Sequence, residues 1–127
     1  MKPQILVVED DDAIRGLVSE VLRDDGYEVS EASNGIEALA RVGAQRPDLI
    51  VLDLMMPVMD GWQFVEECRR QEVCEDVPIV VTSASHDLPK TAERLRAFGV
   101  RTCLAKPFDV EGLLALVERY APLAPAA

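Results

Sequence analysis

Leu49-Ile50-Val51-Leu52-Asp53 decides how this 127-residue chain is read. Four aliphatic residues in a row, rich in β-formers and without a polar interruption, describe a short strand buried on both faces. That is the strand type of a parallel sheet covered by helices. The aspartate that ends the run stands where such a strand reaches the rim of its sheet. A carboxylate placed directly after so apolar a segment loses hydration that a purely structural role does not return.

Outward from this strand the chain alternates short apolar runs with helical periodicity. Before it, Ile5-Leu6-Val7-Val8 forms a first strand, ended by Glu9-Asp10-Asp11-Asp12. Ile14, Leu17, Val18, Val21 and Leu22 follow at the spacing of one helix face, with Gly26 as its stop. Residues 27–32 read as a second strand. Asn34 offers an N-cap to a second helix carrying Ile36, Leu39 and Val42, and Pro47 breaks the chain before the central strand.

Beyond Asp53, Met56-Pro57 and Asp60-Gly61 are loop signals, and Asp60 suits the cap of a third helix bearing Phe64, Val65 and Cys68. Ile79-Val80-Val81 is a fourth strand that runs into Thr82-Ser83. A weaker helical pattern covers about 87–98, with Pro89 tolerable in its first turn and Gly99 closing it. Residues 101–105 make a fifth strand, ended by Lys106-Pro107. Asp109 caps a last helix with Val110, Leu113, Leu114, Val117 and Tyr120 on one face. Five strands alternating with five helices predict an α/β fold, a doubly wound parallel sheet. The expected domain is 1–120, with 121–127, rich in Pro and Ala, as a disordered tail or linker stub.

The bulk composition narrows the function. A net charge of −10 argues against nucleic-acid binding, which needs Lys and Arg to displace phosphate counterions. No apolar run approaches the ~20 residues of a membrane span, and Met1-Lys2-Pro3-Gln4 does not open a secretory signal. A cytoplasmic protein is expected. Cys68, Cys74 and Cys103 have no pairing pattern and are read as reduced thiols.

In an open parallel sheet, ligands bind beyond the carboxyl ends of the strands. Those ends deliver Glu9-Asp10, Asp53, Thr82-Ser83 and Lys106 to one edge. Carboxylates gathered there repel one another and require a proton or a cation. An all-oxygen donor set suits Mg²⁺ or Mn²⁺ rather than Zn²⁺. A lysine and a hydroxyl beside such an ion complete a receptacle for a phosphoryl group, with one carboxylate as nucleophile. Other constellations carry less. Ser85-His86-Asp87 are neighbours in sequence and cannot adopt a triad's geometry. Met55, Met56 and Met59 lack the Cys or His that would accompany them in a soft-metal site.

Taken in order, Ile5-Leu6-Val7-Val8-Glu9-Asp10-Asp11, Asp53-Leu54-Met55-Met56-Pro57 with Asp60-Gly61, Thr82-Ser83-Ala84 and Lys106-Pro107-Phe108 resemble the bacterial two-component response-regulator receiver domains, over nearly the whole chain. The resemblance implies a flavodoxin-like strand order 2-1-3-4-5. It implies that Asp53 takes a phosphoryl group from a histidine kinase or phosphotransfer protein. It further implies that Asp10 binds Mg²⁺ directly, Glu9 acts through a metal-bound water, and Met55 lends its backbone carbonyl. Thr82 and Lys106 would contact the phosphoryl oxygens, Lys106-Pro107 would be cis, and Thr82 would move inward on phosphorylation. The protein would be a signalling switch, catalysing only its own phosphorylation and dephosphorylation and acting on a downstream protein.

One position departs from the pattern. Many relatives carry an aromatic residue three before the lysine, and here it is Cys103, which cannot fill a pocket as a ring does. Two rival readings stand beside the switch. One is a metal-dependent phosphohydrolase built on Asp10-x-Asp12, for which a second acidic pair after the lysine and a cap domain are missing. The other is a receiver-like binding module that works without phosphate, whose mark would be a damaged site. The kinase, the output and any homodimer are left open by the sequence.

Overall fold

The computed structural model describes residues 2–84, 88–100 and 102–123. Strands and helices alternate along the chain: β1 (Gln4–Val8), α1 (Asp12–Asp24), β2 (Glu28–Ala32), α2 (Gly35–Ala44), β3 (Leu49–Asp53), α3 (Gly61–Gln71), β4 (Ile79–Ser83), α4 (Leu88–Ala97), β5 (Thr102–Ala105) and α5 (Val110–Tyr120). All neighbouring strands pair in parallel, in the order β2-β1-β3-β4-β5. The expected fold class and strand order are those found.

The two-residue period of a strand divides the core into two layers. Leu6, Val8, Ile50, Leu52 and Val81 face one side, against Ala38 and Val42 of α2, Phe64 and Val65 of α3, and Leu95 of α4. Ile5, Val7, Leu49, Val51 and Val80 face the other, against Val18 and Leu22 of α1 and Leu113 and Val117 of α5. Every residue of β3 is buried, as expected of a strand covered on both faces. The chain leaves β1 toward β2 on one side and continues through β3, β4 and β5 on the other. The switch point, and with it the crevice, therefore lies at the carboxyl ends of β1 and β3.

Caps set the helix starts. Asp11, within the acidic run, accepts from the Ala13 and Ile14 amides. Asn34 accepts from the Glu37 amide, Asp60 forms a capping box with Gln63, and Asp109 accepts from the Glu111 amide. These satisfy amide groups that have no partner within the helix. At the end of α1, Gly26 takes φ 107°, its amide reaches Arg23 O at 3.1 Å and the Tyr27 amide reaches Leu22 O at 3.1 Å. The Tyr27 N–H is thus spent closing the helix, so β2 starts at Glu28 rather than Tyr27.

The same paired closure ends α4 at Ala97. Gly99 (φ 82°) donates to Arg96 O and Val100 to Leu95 O. Pro89 does lie in the first turn of α4, while Asp87 and Arg101 fall outside the described residues. Leu95 is the one described buried residue of α4, which is why its apolar pattern was weak. Past Tyr120 the backbone stays attached. The Ala121 amide donates to Val117 O at 2.7 Å, Ala121 is buried, and Leu123 packs against the α1/α5 layer. The expected tail thus begins packed, and residues 124–127 are outside those described. No helix among the described residues is long and apolar enough to cross a membrane.

Candidate functional site

Glu9 extends β1 by one hydrogen bond, its amide to Ala32 O at 3.0 Å. This holds its side chain inward, 4% exposed, while Asp10 next to it is exposed. Asp53 closes β3 at 3% exposure. One carboxylate oxygen from each of Glu9, Asp10 and Asp53 lies within 4.8 Å of the others. Lys106 reaches across from the end of β5, with Nζ 2.5 Å from Glu9 Oε1 and 3.4 Å from Asp53 Oδ1. Its backbone is fixed by a hydrogen bond from its N–H to Ser83 O at 2.8 Å, and the Lys106–Pro107 peptide is cis, as the resemblance implied.

Thr82 is the register partner of Asp53, and its carbonyl accepts from the Leu54 amide at 3.2 Å. Thr82 and Ser83 are both buried. The Met55 amide donates to Asp53 Oδ1 at 3.2 Å, and the Met55 side chain is exposed. Met56 and Met59 pack into the core. All the expected site residues therefore meet at one sheet edge.

Sequence reasoning missed two supports. Gly61, read as part of a loop signal, is the first residue of α3. A Cβ there would lie 2.7 Å from Asp53 O and 2.7 Å from Leu54 Cα, so only glycine lets the helix start pack directly on the acceptor strand. Arg15 donates to Glu9 O at 2.9 Å and to Asp12 Oδ1 at 2.6 Å, bringing a guanidinium to the rim of the acidic crevice. Its i, i+3 spacing to Asp12 was the available signal. The loop joining the site to α3 is also unusual. Val58, a β-branched residue, has φ 68° and is bridged by a bond from the Met59 amide to Pro57 O at 2.8 Å, a tight three-residue turn in a conformation that branched side chains resist.

The charge balance is unequal. Burial, then the neighbouring Glu9, pushes Asp53 up to about 7, with Lys106 and the Met55 amide opposing. Glu9 is also pushed up by burial. Its hydrogen bonds with Asp53 and Lys106 outweigh that and leave it below the usual carboxylate range. Burial pulls the Lys106 ammonium down, and Glu9 and Asp53 more than restore it, so it sits above the ordinary lysine value. At neutral pH the crevice holds more negative charge than its one ammonium balances, and a proton at Asp53 offsets only part of the difference. Three oxygen donors at this spacing, with uncompensated charge, fit a hard divalent cation. Beside the crevice lies a groove of about 540 Å³ bounded by Leu54, Met55 and Trp62 on one side and Ser83, Ala84 and Arg94 on the other.

Residues 5–118 match the response regulator receiver domain family. The chain belongs to that family. It is 36% identical over 123 residues to sporulation initiation phosphotransferase F of Bacillus subtilis, covering 97% of each chain. Against two other curated relatives, each 41% identical, it spans 47% and 49% of their length. The chemotaxis response regulator CheY4 of Vibrio cholerae superposes with a TM-score of 0.86 at 38% identity, covering 94% of this chain and 99% of that one. The receiver domain of a sensor histidine kinase from Pseudomonas aeruginosa, solved with a magnesium ion coordinated in its active site cleft, gives 0.83 at 33% identity, covering 95% and 98%. This receiver is accordingly a phosphorylation-dependent signalling domain of the two-component type, and not an enzyme in the ordinary sense.

Proposed function

We propose that Asp53 is the phosphoacceptor of this receiver, and that it takes the phosphoryl group from a phosphohistidine on a histidine kinase or phosphotransfer protein. The observation that carries this is a buried carboxylate at the end of β3 whose oxygen lies 3.4 Å from the Lys106 ammonium and within 4.8 Å of two further carboxylates. Glu9, Asp10, Asp53 and the backbone carbonyl of Met55 would hold Mg²⁺, or Mn²⁺. Such an ion would supply positive charge that offsets the phosphoryl oxygens.

The chain's own groups do the rest. Ionised Asp53 attacks phosphorus, an O–P bond forms, and the P–N bond to the donor imidazole breaks, leaving the electron pair on nitrogen. Lys106 turns part of its charge from Glu9 to a phosphoryl oxygen, and the Thr82 hydroxyl donates to another. Positioning and charge stabilisation are most of what phosphoryl transfer requires. The same groups, with a water in place of imidazole, return Asp53 to its free state, so the receiver promotes its own phosphorylation and dephosphorylation. The altered charge at Asp53 changes the surface offered to a downstream protein.

The first test is intact mass after incubation with Mg²⁺ and acetyl phosphate, beside the Asp53→Asn protein. Gain of one phosphoryl group by the wild type alone supports the assignment. Equal gain by the variant sinks it. Where neither gains, a beryllofluoride titration followed by NMR decides: unchanged spectra around Asp53, Thr82 and Lys106 reject the site, and saturable shifts there support it.

A further inference from the structure

A cavity of about 680 Å³ opens at the amino ends of β4 and β5, at the far end of the sheet from Asp53. Two of its lining residues are Cys68 and Cys74. Cys68 lies in the last turn of α3. The helix closes through Glu72 at φ 54°, with the Glu72 amide on Arg69 O and the Val73 amide on Cys68 O, both at 3.2 Å. This reversal returns the next residue, Cys74, to the cavity wall that Cys68 also lines, where the two side chains interact. Both are unbridged, with Cys68 0% and Cys74 9% exposed.

The pair is asymmetric. Contact with Cys68, and then the guanidinium charges of Arg46 and Arg69, bring the Cys74 thiol below its ordinary range despite burial and an opposing Glu75. Cys68, in contact with Cys74 and buried, is held far above that range. Arg69 also lines the cavity. An ionisable thiol open to a cavity, in contact with a second thiol that keeps its proton, is the arrangement of an attacking and a resolving cysteine.

We propose that Cys74 and Cys68 form a dithiol site for hydroperoxide oxidants, converting to an intrachain disulfide at the wall of this cavity. The Cys74 thiolate attacks the outer oxygen of the hydroperoxide. The O–O bond breaks, Cys74 becomes a sulfenic acid, and the departing alkoxide or hydroxide takes a proton from water. The Cys68 sulfur then attacks the Cys74 sulfur. The S–O bond breaks, and the leaving hydroxide combines with the Cys68 proton as water. Two thiols give up two electrons, and the hydroperoxide is reduced to an alcohol or water.

Cys103 is the internal control. It is partly exposed, but burial alone moves it, and upward. Simple accessibility would oxidise Cys103 first, whereas local charge selects Cys74. The full chain, with metal chelated, is treated with hydrogen peroxide and quenched with an alkylating agent. Trypsin cuts after Arg69 and Arg70, between the paired cysteines, so a Cys68–Cys74 disulfide joins two separate peptides. We expect those joined peptides, with Cys103 alkylated. Cys68→Ser should leave a Cys74 sulfenic acid that dimedone traps, and Cys74→Ser should slow thiol loss at least tenfold. Acetyl phosphate uptake, read at the other end of the sheet, checks that both variants are folded. Oxidation of Cys103 at the same rate or first, joining between chains, no thiol loss, or wild-type oxidation of Cys74→Ser would each overturn the proposal.

Discussion

Replacing Asp53 by asparagine should make the metal-free receiver more stable, and increasingly so as pH rises. Asp53 is moved from an ordinary 3.8 to about 7. Below about pH 4 the group is protonated in both folded and unfolded chains and contributes no penalty. Between about 4 and 7 the unfolded chain releases its proton while the folded one keeps it, so stability falls with rising pH, and above about 7 it levels. At ~1.4 kcal/mol per pH unit the gap corresponds to ~4 kcal/mol. Water entering the crevice trims this, so Asp53→Asn should exceed wild type by about 2–4 kcal/mol at pH 8 and by less than ~1 kcal/mol at pH 4.5. The side-chain oxygen of asparagine still accepts the Met55 amide bond, so the local backbone is kept. Urea denaturation followed by Trp62 fluorescence, with EDTA present, at half-unit intervals from pH 4.5 to 8.5 measures the difference directly. Taking the difference removes the acid limb that other carboxylates contribute to both proteins. A gap that does not change with pH, or a variant less stable than wild type at pH 8, would refute the account of a crevice overloaded with negative charge.

The same proton links to metal. Apparent Mg²⁺ affinity should rise about tenfold per pH unit below 7 and flatten above it, read by Trp62 quenching or calorimetry; a flat profile from pH 5 to 8 would remove Asp53 from the donor set. Lys106→Met leaves Glu9 and Asp53 facing each other without their shared ammonium, and should cost about 3 kcal/mol at pH 8, less at pH 5, with phosphoryl uptake strongly reduced. Equal cost at both pH values would show that lysine packing, not charge, was lost. Glu72→Gly relieves a left-handed φ of 54° and should add about 0.5–1 kcal/mol in urea denaturation; a loss would mean that the Glu72 side chain is held by something other than the turn.

Much of this was legible because strong local signals and topology agree. β3 was readable as buried on both faces from four aliphatic residues, and its aspartate from what such a run cannot solvate. Asn34, Asp60 and Asp109 announced their helices because a cap is a local bond between neighbours. What escaped depends on how the chain turns back on itself within a few residues, in backbone geometry that residue type does not announce. The need for glycine at position 61 comes from the Asp53 and Leu54 backbone lying 2.7 Å from a would-be Cβ, which no periodicity reports. The Cys68–Cys74 contact needed the left-handed turn at Glu72, a residue type that gives no warning of positive φ. The start of β2 shifted by one residue because the Tyr27 amide closes α1.

How the switch transmits its state can be narrowed from the resting charges. Lys106 sits closer to Glu9 than to Asp53, 2.5 Å against 3.4 Å. A phosphoryl group brings about −1.5 to −2 charge, which draws the ammonium toward the Asp53 side. That pull cannot stay in the side chain alone, because the Lys106 amide is bonded to Ser83 O and β5 is held to β4 through the pairs Val81–Cys103, Thr82–Leu104 and Ser83–Ala105. With Cys103 partly buried against the α2/α3/α4 layer, no ring stands at that position to rotate into vacated space. The route this predicts is through the β4–β5 backbone to α4, which is anchored by Leu95 and by Arg94, whose guanidinium lies 4.1 Å from the Trp62 ring centre. The expected outcome on phosphorylation is a shift of α4 against Trp62 rather than an aromatic flip in β5; Trp62 fluorescence that is the same before and after acetyl phosphate treatment would refute it.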